Sequence, residues 1–284
     1  MKTKYVAWFL TMPSLSVIGI VVAFPLAYLI FVSLHSYNFA AGTGMNWAGL
    51  VNYIDLMRDA RFIHSLKVTA LYVSVSVTFQ VIVGLGIALL LDRPFTGGTA
   101  VRTVFILPMV LAPVVTGLIF RTLLLSPIFG FVNYFLTLIN LEPIAWLTDL
   151  KWALWSVCFI HIWQWTPFAF LVFFASLRGF PAEPFEAAVV DGANAVQMLR
   201  HITLPLLWPT IVVVIIMRLI VALRAFAALY AATGGGPGTV TETLNLYAFR
   251  TTFTYFRIGY GAAAASILLL ITMGLSIFFL RLRK

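Results

Sequence analysis

Four residues of one apolar stretch place polar groups beside aromatic rings. His161, Trp165 and Phe168 are spaced at i, i+4 and i+7, which is one face of a helix, and Gln164 is adjacent. Aromatic rings can cover the apolar C–H surface of a sugar ring, while hydrogen bonds from polar groups fix its hydroxyls. The pattern therefore fits a sugar-binding surface. It also fits an aromatic stripe that only packs against another helix or lies at a membrane interface.

Arg218 is a cation inside a second apolar stretch. Counting from Leu206 at about 1.5 Å per residue, it lies roughly 18 Å into that stretch, near the centre of a bilayer. An ionisable group at that depth is costly and by default faces the protein interior, as a substrate, gate or pairing group. The alternative is a structural ion pair with a partner subunit. Arg224 lies nearer the interface, and we expect its charged end to reach water.

The sequence contains no pattern for hydrolysis, metal binding or nucleotide binding. No acid pair or nucleophile–base arrangement occurs, and Gly234–Gly238 is not followed by Gly-Lys-Ser/Thr, so it is interpreted as a turn. Cys158 has no second cysteine with which to form a disulfide. The four histidines, which lack the spacing of metal ligands, are His35, His64, His161 and His201. We expect no enzyme activity, no cofactor and no metal.

The elements that carry these residues must be suited to a lipid bilayer. Of the 284 residues, 62% are hydrophobic and only 10% are charged, whereas soluble domains are roughly 45–50% apolar and about 25% charged. This composition excludes a disordered protein, a nucleic-acid binder and a secreted disulfide scaffold. The excess of 18 Lys and Arg over 9 acids is typical of positive cytoplasmic loops in a membrane protein.

Apolar runs without charges predict six membrane-spanning helices. The first, Trp8–Leu34, is longer than the roughly 7–15 apolar residues of a signal peptide, so it is predicted to remain as a helix. The segment Ile128–Leu141 is short and bracketed by Pro127 and Pro143, so it is not counted as a seventh span. The other predicted spans are Val68–Leu91, Thr103–Leu125, Trp152–Leu177, Leu206–Leu229 and Gly259–Leu280.

Six spans leave both termini on one side of the membrane. Basic clusters at the two termini and in the short turn around Arg93 indicate that this side is cytoplasmic. The same side then carries one long polar loop, Arg178–Pro205. Nine basic residues fall on the cytoplasmic side against seven outside. The nine are Lys2, Lys4, Arg93, Arg102, Arg178, Arg200, Arg281, Arg283 and Lys284.

The long loop predicts two short helices joined by a turn. Pro184 suits the first position of a helix, and Glu186 puts negative charge in the first turn, where the helix dipole favours it. Gly192 is a natural C-terminal breaker. Asn194 can cap the second helix, with Gln197 as its capping-box partner. On these grounds the loop is either an amphipathic interfacial element or a surface that another protein approaches closely.

A fixed pattern of residues runs through this loop. Glu186-Ala187-Ala188 is followed after three residues by Gly192, and after nine more by Ile202-Thr203-Leu204-Pro205. This pattern resembles the EAA loop of ABC importer permeases, the coupling helix that sits in a groove of the cytoplasmic ATPase. The resemblance implies that the following residues couple to the ATPase: Glu186, Ala187, Ala188, Asp191, Gly192, Ala193, Ile202, Leu204 and Pro205.

The resemblance covers most of the chain and favours the carbohydrate branch of that family, the maltose-type and glycerol-phosphate-type permeases. Two departures occur. Pro184 and Phe185 stand where the family usually has a helix-friendly acidic residue and an aromatic or aliphatic one, and Ala227 lies where an acidic residue is common. The segments that match this branch are Asp191–Ala193, Leu204-Pro205, Thr233–Pro237, Gly259–Ala262, Trp146-Leu147, Ile162-Trp163 with Pro167-Phe168, and Gly49–Tyr53.

The resemblance implies an all-α polytopic membrane protein with six transmembrane helices and the type I ABC importer permease fold. Residues 1–67 would form an N-terminal helix and external loop, residues 68–280 the transport domain, and residues 281–284 a basic cytoplasmic tail. The implied function is import of a carbohydrate or related polyol across a bacterial or archaeal inner membrane by alternating access. The residues expected along the substrate path are His161, Gln164, Trp165, Phe168 and Arg218.

The implied partners are a second homologous permease, two copies of a cytoplasmic ATPase and an extracytoplasmic solute-binding protein, within a lipid bilayer and without nucleic acid. Two other functions fit the sequence less well. An ion-coupled secondary transporter would have acids within its spans, and the predicted spans contain none. A membrane anchor that transports nothing would not account for Arg218.

Overall fold

The computed structural model describes residues 2–42, 44–92 and 96–282, and the side chains of these except residues 2–7 and 282. Arg93, Arg283 and Lys284, which the sequence predicts to be cytoplasmic, lie outside the described residues. Within the described ranges the chain is mostly helical. The helices long and apolar enough to cross a membrane are α1 (Lys2–Ser33), α3 (Ala60–Leu91), α7 (Ala153–Arg178), α10 (Leu204–Leu223) and α13 (Ile258–Leu282).

The third predicted span is a broken helix. α4 (Gly98–Val110) and α5 (Pro113–Ile119), with a π-helical turn at Phe120–Leu124, meet at an angle of 98°. Proline lacks a backbone N–H and disfavours helical backbone in the residue before it, and Ala112 is indeed extended, with φ −59° and ψ 134°. The predicted total of six spans is reached when this bent pair is counted as one span.

The fifth span ends earlier than the hydropathy of the sequence predicts. α10 stops at Leu223 rather than Leu229, and a separate helix, α11 (Ala227–Thr233), follows. The terminal C=O of Arg224 accepts a hydrogen bond from the side chain of Asn245 at 3.1 Å, which satisfies a carbonyl that has no donor within the helix. Arg218 therefore lies five residues before the end of α10, about 7.5 Å of helical rise, although it is midway along the predicted span Leu206–Leu229.

The remaining elements are short. α6 (Phe131–Leu138) has eight residues, too few to cross a bilayer, so the exclusion of a seventh span is confirmed. A two-residue antiparallel pair, β1 (His35–Ser36) with β2 (Asn46–Trp47), was not predicted. The other short helices are α2 (Val51–Arg58), α8 (Glu183–Val190), α9 (Ala195–Met198) and α12 (Leu244–Phe249). π-Helical turns also occur at Leu199–Thr203 and Arg250–Thr254.

The chain divides into two compact units. One comprises Met1–His64 with Tyr247–Leu270, and the other comprises Ser65–Leu246 with Ile271–Lys284. In the second unit α3, α7 and α10 share a core. A Cβ on Gly84 would lie 2.7 Å from the Cβ of Ala169, so glycine at this position allows α3 and α7 to pack closely. The fully buried members of this core are Ala88, Ala169, Phe170, Phe173, Leu207 and Val214.

In the first unit, Asp59 connects the start of α3 to α12 and α13. Its Oδ1 accepts hydrogen bonds from the backbone N–H groups of Arg61 at 2.8 Å and Phe62 at 3.3 Å, so it caps the helix. Its Oδ2 accepts from the hydroxyls of Tyr247 at 2.7 Å and Tyr260 at 3.2 Å. Burial raises the pKa of Asp59, but the hydrogen bonds outweigh burial and leave the pKa below its ordinary value.

We expect Asp59→Asn to lower the melting temperature of the protein in detergent at neutral pH. The amide can still cap α3 but is a weaker, uncharged partner for two tyrosine hydroxyls, a loss of about 1 kcal/mol. Because folding lowers the pKa of Asp59, the stabilisation is fully present above the unfolded-state value of 3.8 and is lost as the pH falls through the folded-state pKa. The difference between wild type and variant should therefore shrink at acid pH.

The control for this experiment is Asp55→Asn, because Asp55 is exposed on α2. We expect Asp55→Asn to have the same melting temperature as the wild type at each pH tested. Equal melting temperatures for Asp59→Asn and the wild type at neutral pH would contradict the role given to Asp59.

Candidate functional site

Arg218 is enclosed by side chains of α3 and α7. Its side chain is 1% exposed, and its Nε donates a hydrogen bond to Oε1 of Gln80 at 2.9 Å. The guanidinium carbon lies 4.6 Å from the ring centre of Trp165 and 5.5 Å from that of Phe168. At these distances the ring quadrupoles attract a cation. One amide oxygen and two aromatic rings thus hold the charge of Arg218.

No carboxylate balances the charge of Arg218 in the part of the chain that the structure describes. The contacts of its guanidinium are those with Gln80, Trp165 and Phe168, and its Nη2 finds no hydrogen-bond acceptor among the described residues. A buried ion without a counter-ion carries an effective penalty of several kcal/mol. The guanidinium can therefore donate a hydrogen bond to one further acceptor.

Gln80 joins Arg218 to the backbone of α7. Its Oε1 accepts from Arg218, while its Nε2 donates to the backbone C=O of His161 at 3.1 Å. The ring of His161 lies 5.3 Å from that of Tyr72, centre to centre. His161 is 3% exposed, and its Nε2 has no hydrogen-bond partner among the residues described. Through Gln80, His161 and Arg218 belong to one network.

Gln164 is engaged by the broken helix. Its Nε2 donates to the backbone C=O of Leu111 at 3.0 Å, between α4 and α5. This contact satisfies a carbonyl left without a helical donor, which is how broken helices are tolerated at membrane depth. Its Oε1 is buried without a hydrogen-bond partner in the described ranges. Of the five residues expected along the substrate path, Trp165, Phe168 and Arg218 are thus in direct contact. His161 joins them through Gln80, while Gln164 supports the helix break.

Gln80 and Tyr72 are the members of this network that the sequence interpretation missed. Gln80 is the only amide residue in the predicted span Val68–Leu91. A lone amide in an apolar span indicates a buried hydrogen bond, because the group is costly to leave unpaired in hydrocarbon. That signal could have identified Gln80, although not its partners. Nothing in the sequence distinguishes Tyr72 from a packing aromatic residue.

The polar loop forms the predicted helix–turn–helix. α8 begins at Glu183 with Pro184 in its second position, and Gly192 has a φ of +77°, which glycine adopts readily. The N–H of Gly192 donates to the C=O of Val189 at 3.1 Å, and that of Ala193 to Ala188 at 2.9 Å. These two bonds form a Schellman motif. The predicted helix end at Gly192 is confirmed.

The predicted capping box at Asn194 is also confirmed. Asn194 Oδ1 accepts from the N–H of Gln197 at 2.9 Å, and Gln197 Oε1 accepts from the N–H of Asn194 at 2.8 Å. The helix that starts here continues through the π-helical turn at Leu199–Thr203 into α10, so one helical stretch runs from Ala195 to Leu223. Pro205 and Pro209 lie inside this stretch and do not end it.

Apolar side chains are exposed on the loop. Val189 is 64% exposed, Val190 87% and Val196 72%, and Glu186 and Ala187 are exposed beside them, while Ala188 is buried. Exposed apolar residues grouped in this way are typical of protein contact surfaces. Among the residues that the resemblance assigns to coupling, Glu186, Ala187, Asp191, Gly192 and Pro205 are exposed.

The base of the loop is tied to α3. Arg178, the last residue of α7, forms an ion pair with Asp92 at 2.9 Å. Arg178 and Arg102 both lie over the ring of Phe174, at 5.3 Å and 4.6 Å. Between this base and α9 lies a cavity of about 780 Å³. Its lining residues are Leu89, Leu90, Asp92, Leu177, Phe180, Pro181, Ala182, Phe185, Ala195, Met198, Leu199 and Thr203.

Comparison with known proteins identifies similar sequences. Residues 80–283 match the family described as "Binding-protein-dependent transport system inner membrane component". The probable ABC transporter permease protein y4oQ of Sinorhizobium fredii is 37% identical, with 97% of this chain and 88% of that protein covered. The sulfoquinovosyl glycerol transport system permease protein SmoG of Agrobacterium fabrum is 33% identical, covering 98% and 90%. The trehalose/maltose transport system permease protein MalF of Thermococcus litoralis is 31% identical, covering 97% and 93%.

Two crystal structures share the fold. One is of a bacterial alginate ABC transporter in complex with an alginate pentasaccharide-bound periplasmic protein, with a TM-score of 0.83 over 98% of this chain and 93% of that chain. The other is of a bacterial ABC transporter involved in alginate import, with a TM-score of 0.84 over 99% and 96%. Both are 24% identical to this chain, so the similarity concerns the fold.

We expect Gln80→Leu to destabilise the protein strongly. Leucine fills a similar volume but accepts no hydrogen bond, so Nε of Arg218 would be buried without a partner at a cost of about 1.5–3 kcal/mol. Gln80→Glu should restore part of this loss, because a carboxylate can accept from the guanidinium but cannot donate to the backbone C=O of His161. Thermal unfolding in detergent measures both effects, with Thr78→Val, exposed on the same helix, as the control. A Gln80→Leu variant as stable as the wild type would contradict the network.

Proposed function

The chain belongs to the family of binding-protein-dependent transport system inner membrane components, the permease subunits of ABC importers, and we propose that its substrate is a carbohydrate or related polyol. Family membership confirms the predicted permease function and the all-α, multi-pass membrane fold. Two observations support the substrate class. Similar permeases are named for sulfoquinovosyl glycerol and for trehalose/maltose, and α7 carries polar groups beside the rings of Trp165 and Phe168.

The permease works with other proteins. We propose a second homologous permease, two copies of a cytoplasmic ATPase and an extracytoplasmic solute-binding protein. The family's dependence on a binding protein supports the last of these. A separate ATPase is supported by the lack of any Gly-Lys-Ser/Thr motif in the sequence. Only 6% of an 18-residue apolar window within Trp8–Ser33 of α1 is buried, so we propose that this helix contacts lipid or the second permease.

The loop from Glu186 to Pro205 is proposed as the site of coupling. Its second helix continues into α10, so a displacement at Ala195 is carried along about 35 Å of helix to Arg218. Arg178 connects the start of the loop to α3 through Asp92. Closure of the ATPase dimer would therefore move α10 relative to α7 and α3. These three helices enclose the proposed substrate path, so their movement would open it first to one side and then to the other.

This proposal places the loop and both termini in the cytoplasm of a bacterial or archaeal cell, with the chain in the inner membrane. The basic clusters in the sequence support this orientation. The single observation that carries the coupling proposal is the exposed, capped loop with its apolar surface around Val189 and Val190.

The partners can be identified by tagging the C-terminus, extracting the complex from its native host in mild detergent and analysing the co-purifying chains by mass spectrometry. We expect an ATPase and a second permease. The matching binding protein of the host can then be screened against carbohydrates. A chain that purifies alone and moves solute into liposomes on an ion gradient would contradict the proposal.

Charge reversal at Glu186 tests the coupling role. We expect Glu186→Lys to reduce ATP-driven transport by at least about ten-fold, because a reversed charge in a protein interface costs several kcal/mol. The variant should still insert into the membrane and co-purify with the second permease. Glu142→Lys, exposed in the loop predicted to be external, is the control and should transport at the wild-type rate. Full transport by Glu186→Lys would refute the coupling role.

A further inference from the structure

We propose that the carbohydrate carried by this permease is anionic, and that Arg218 binds its acidic group. The inference rests on the proposed function and adds the charge of the substrate. It begins from the burial of Arg218, which is 1% exposed while no carboxylate contacts it within the described part of the chain. A methionine or leucine would fill this space without an ionic cost, so packing alone does not explain an arginine here.

The guanidinium retains capacity for a hydrogen-bond acceptor. Arginine has five N–H donors in one plane. In this structure Nε is paired with Gln80, whereas Nη2 has no acceptor among the residues described. Trp165 and Phe168 attract the charge but accept no conventional hydrogen bond. A carboxylate, sulfonate or phosphate group supplies both the missing acceptor and the missing negative charge, and such pairs are among the strongest hydrogen bonds in proteins.

Groups suited to the neutral part of the ligand lie nearby on α7. His161 and Gln164 fall within one turn of Trp165, and each has a buried polar side-chain atom without a hydrogen-bond partner in the described ranges, namely Nε2 and Oε1. Such atoms can pair with sugar hydroxyls, while Trp165 covers the apolar side of a ring. Arg218 would therefore hold the acidic group, and α7 would hold the sugar.

Arg218 is inaccessible in this conformation, so the acidic group reaches it only when α7 and α10 separate. α10 is continuous with the proposed coupling loop, so the movement that exposes Arg218 is the movement that ATP drives. In the closed arrangement the aromatic rings and Gln80 stabilise the charge in place of the substrate. The site is thus formed and covered in the same transport cycle.

The first test compares matched substrates in the complete complex. The permease, its partner permease, the ATPase and the binding protein are reconstituted in proteoliposomes. They are supplied with neutral disaccharides, each paired with its uronic-acid and its 6-sulfo counterpart. We expect the acidic member of at least one pair to be transported at least about ten-fold faster, because a site with an unpaired buried polar group discriminates strongly against ligands that cannot pair with it.

The second test alters the charge balance within the site, using the same binding protein. Gln80→Glu keeps the shape of Gln80 but places a carboxylate where its amide oxygen now lies, 2.9 Å from Nε of Arg218. We expect it to lower the ratio of acidic-sugar to neutral-sugar transport by about ten-fold or more, because the new carboxylate pairs with the guanidinium and repels an acidic ligand. Arg218→Met should lose the preference as well. Arg224→Met, exposed at the end of α10, is the matched control and should retain it.

The outcomes separate this inference from the proposed function. Transport of neutral carbohydrates with no preference for acidic ones overturns the inference and leaves the proposed function standing. An unchanged acidic preference in both Gln80→Glu and Arg218→Met also overturns it, because other residues would then recognise the acidic group of the substrate. A third result would also overturn it: the wild type prefers neutral sugars, and Arg218→Met no longer co-purifies with the second permease. Arg218 would then have a structural role in pairing with an acid on that subunit. Transport of a solute that is not a carbohydrate or polyol refutes the proposed function itself.

Discussion

The hydrogen bonds of one buried amide hold together the three helices that enclose the proposed substrate path. Gln80 accepts from Arg218 of α10 and donates to the backbone of α7 at His161. Its two ends are chemically different, so reversing the amide would break both bonds and leave three polar groups unpaired in an apolar interior. The packing of Phe170, Phe173 and Leu207 fills the surrounding space but is non-directional. The amide therefore fixes the register of α3, α7 and α10 in a way that apolar packing does not.

The second compact unit contains both a continuous helical stretch and interrupted helices, and the two are suited to different movements. The stretch from Ala195 to Leu223 is continuous, which suits it to carry a displacement. The helical backbone is interrupted at Ala112, before α5, and again after Leu223, before α11. At both places a side-chain amide, from Gln164 or Asn245, binds a terminal carbonyl. The interruptions are thus stabilised chemically, and bending there does not require new helical hydrogen bonds to break.

Features set by local chemistry could be predicted from the sequence, and features set by distant partners could not. Asn194, Gln197 and Gly192 form their cap and turn from neighbours within a few residues, so their spacing was sufficient. The break before Pro113 and the end of α10 at Leu223 fall inside apolar runs. Hydropathy stays high across the break before Pro113 and is high again after Arg224, so the mean hydropathy of a span located neither point. The partner of Arg218 is Gln80, 138 residues away, and no local pattern connects them.

The two ends of the helical stretch from Ala195 to Leu223 have different proposed roles. The end near Ala195 joins the proposed coupling loop, whose residues resemble a pattern of the family. The residues around Arg218 are not part of that pattern. A buried cation that the fold does not neutralise destabilises the permease by itself, so it is expected to persist only where a ligand uses it. Coupling is therefore the property that family membership predicts, whereas substrate charge must be inferred from the unbalanced arginine and its contacts in this chain.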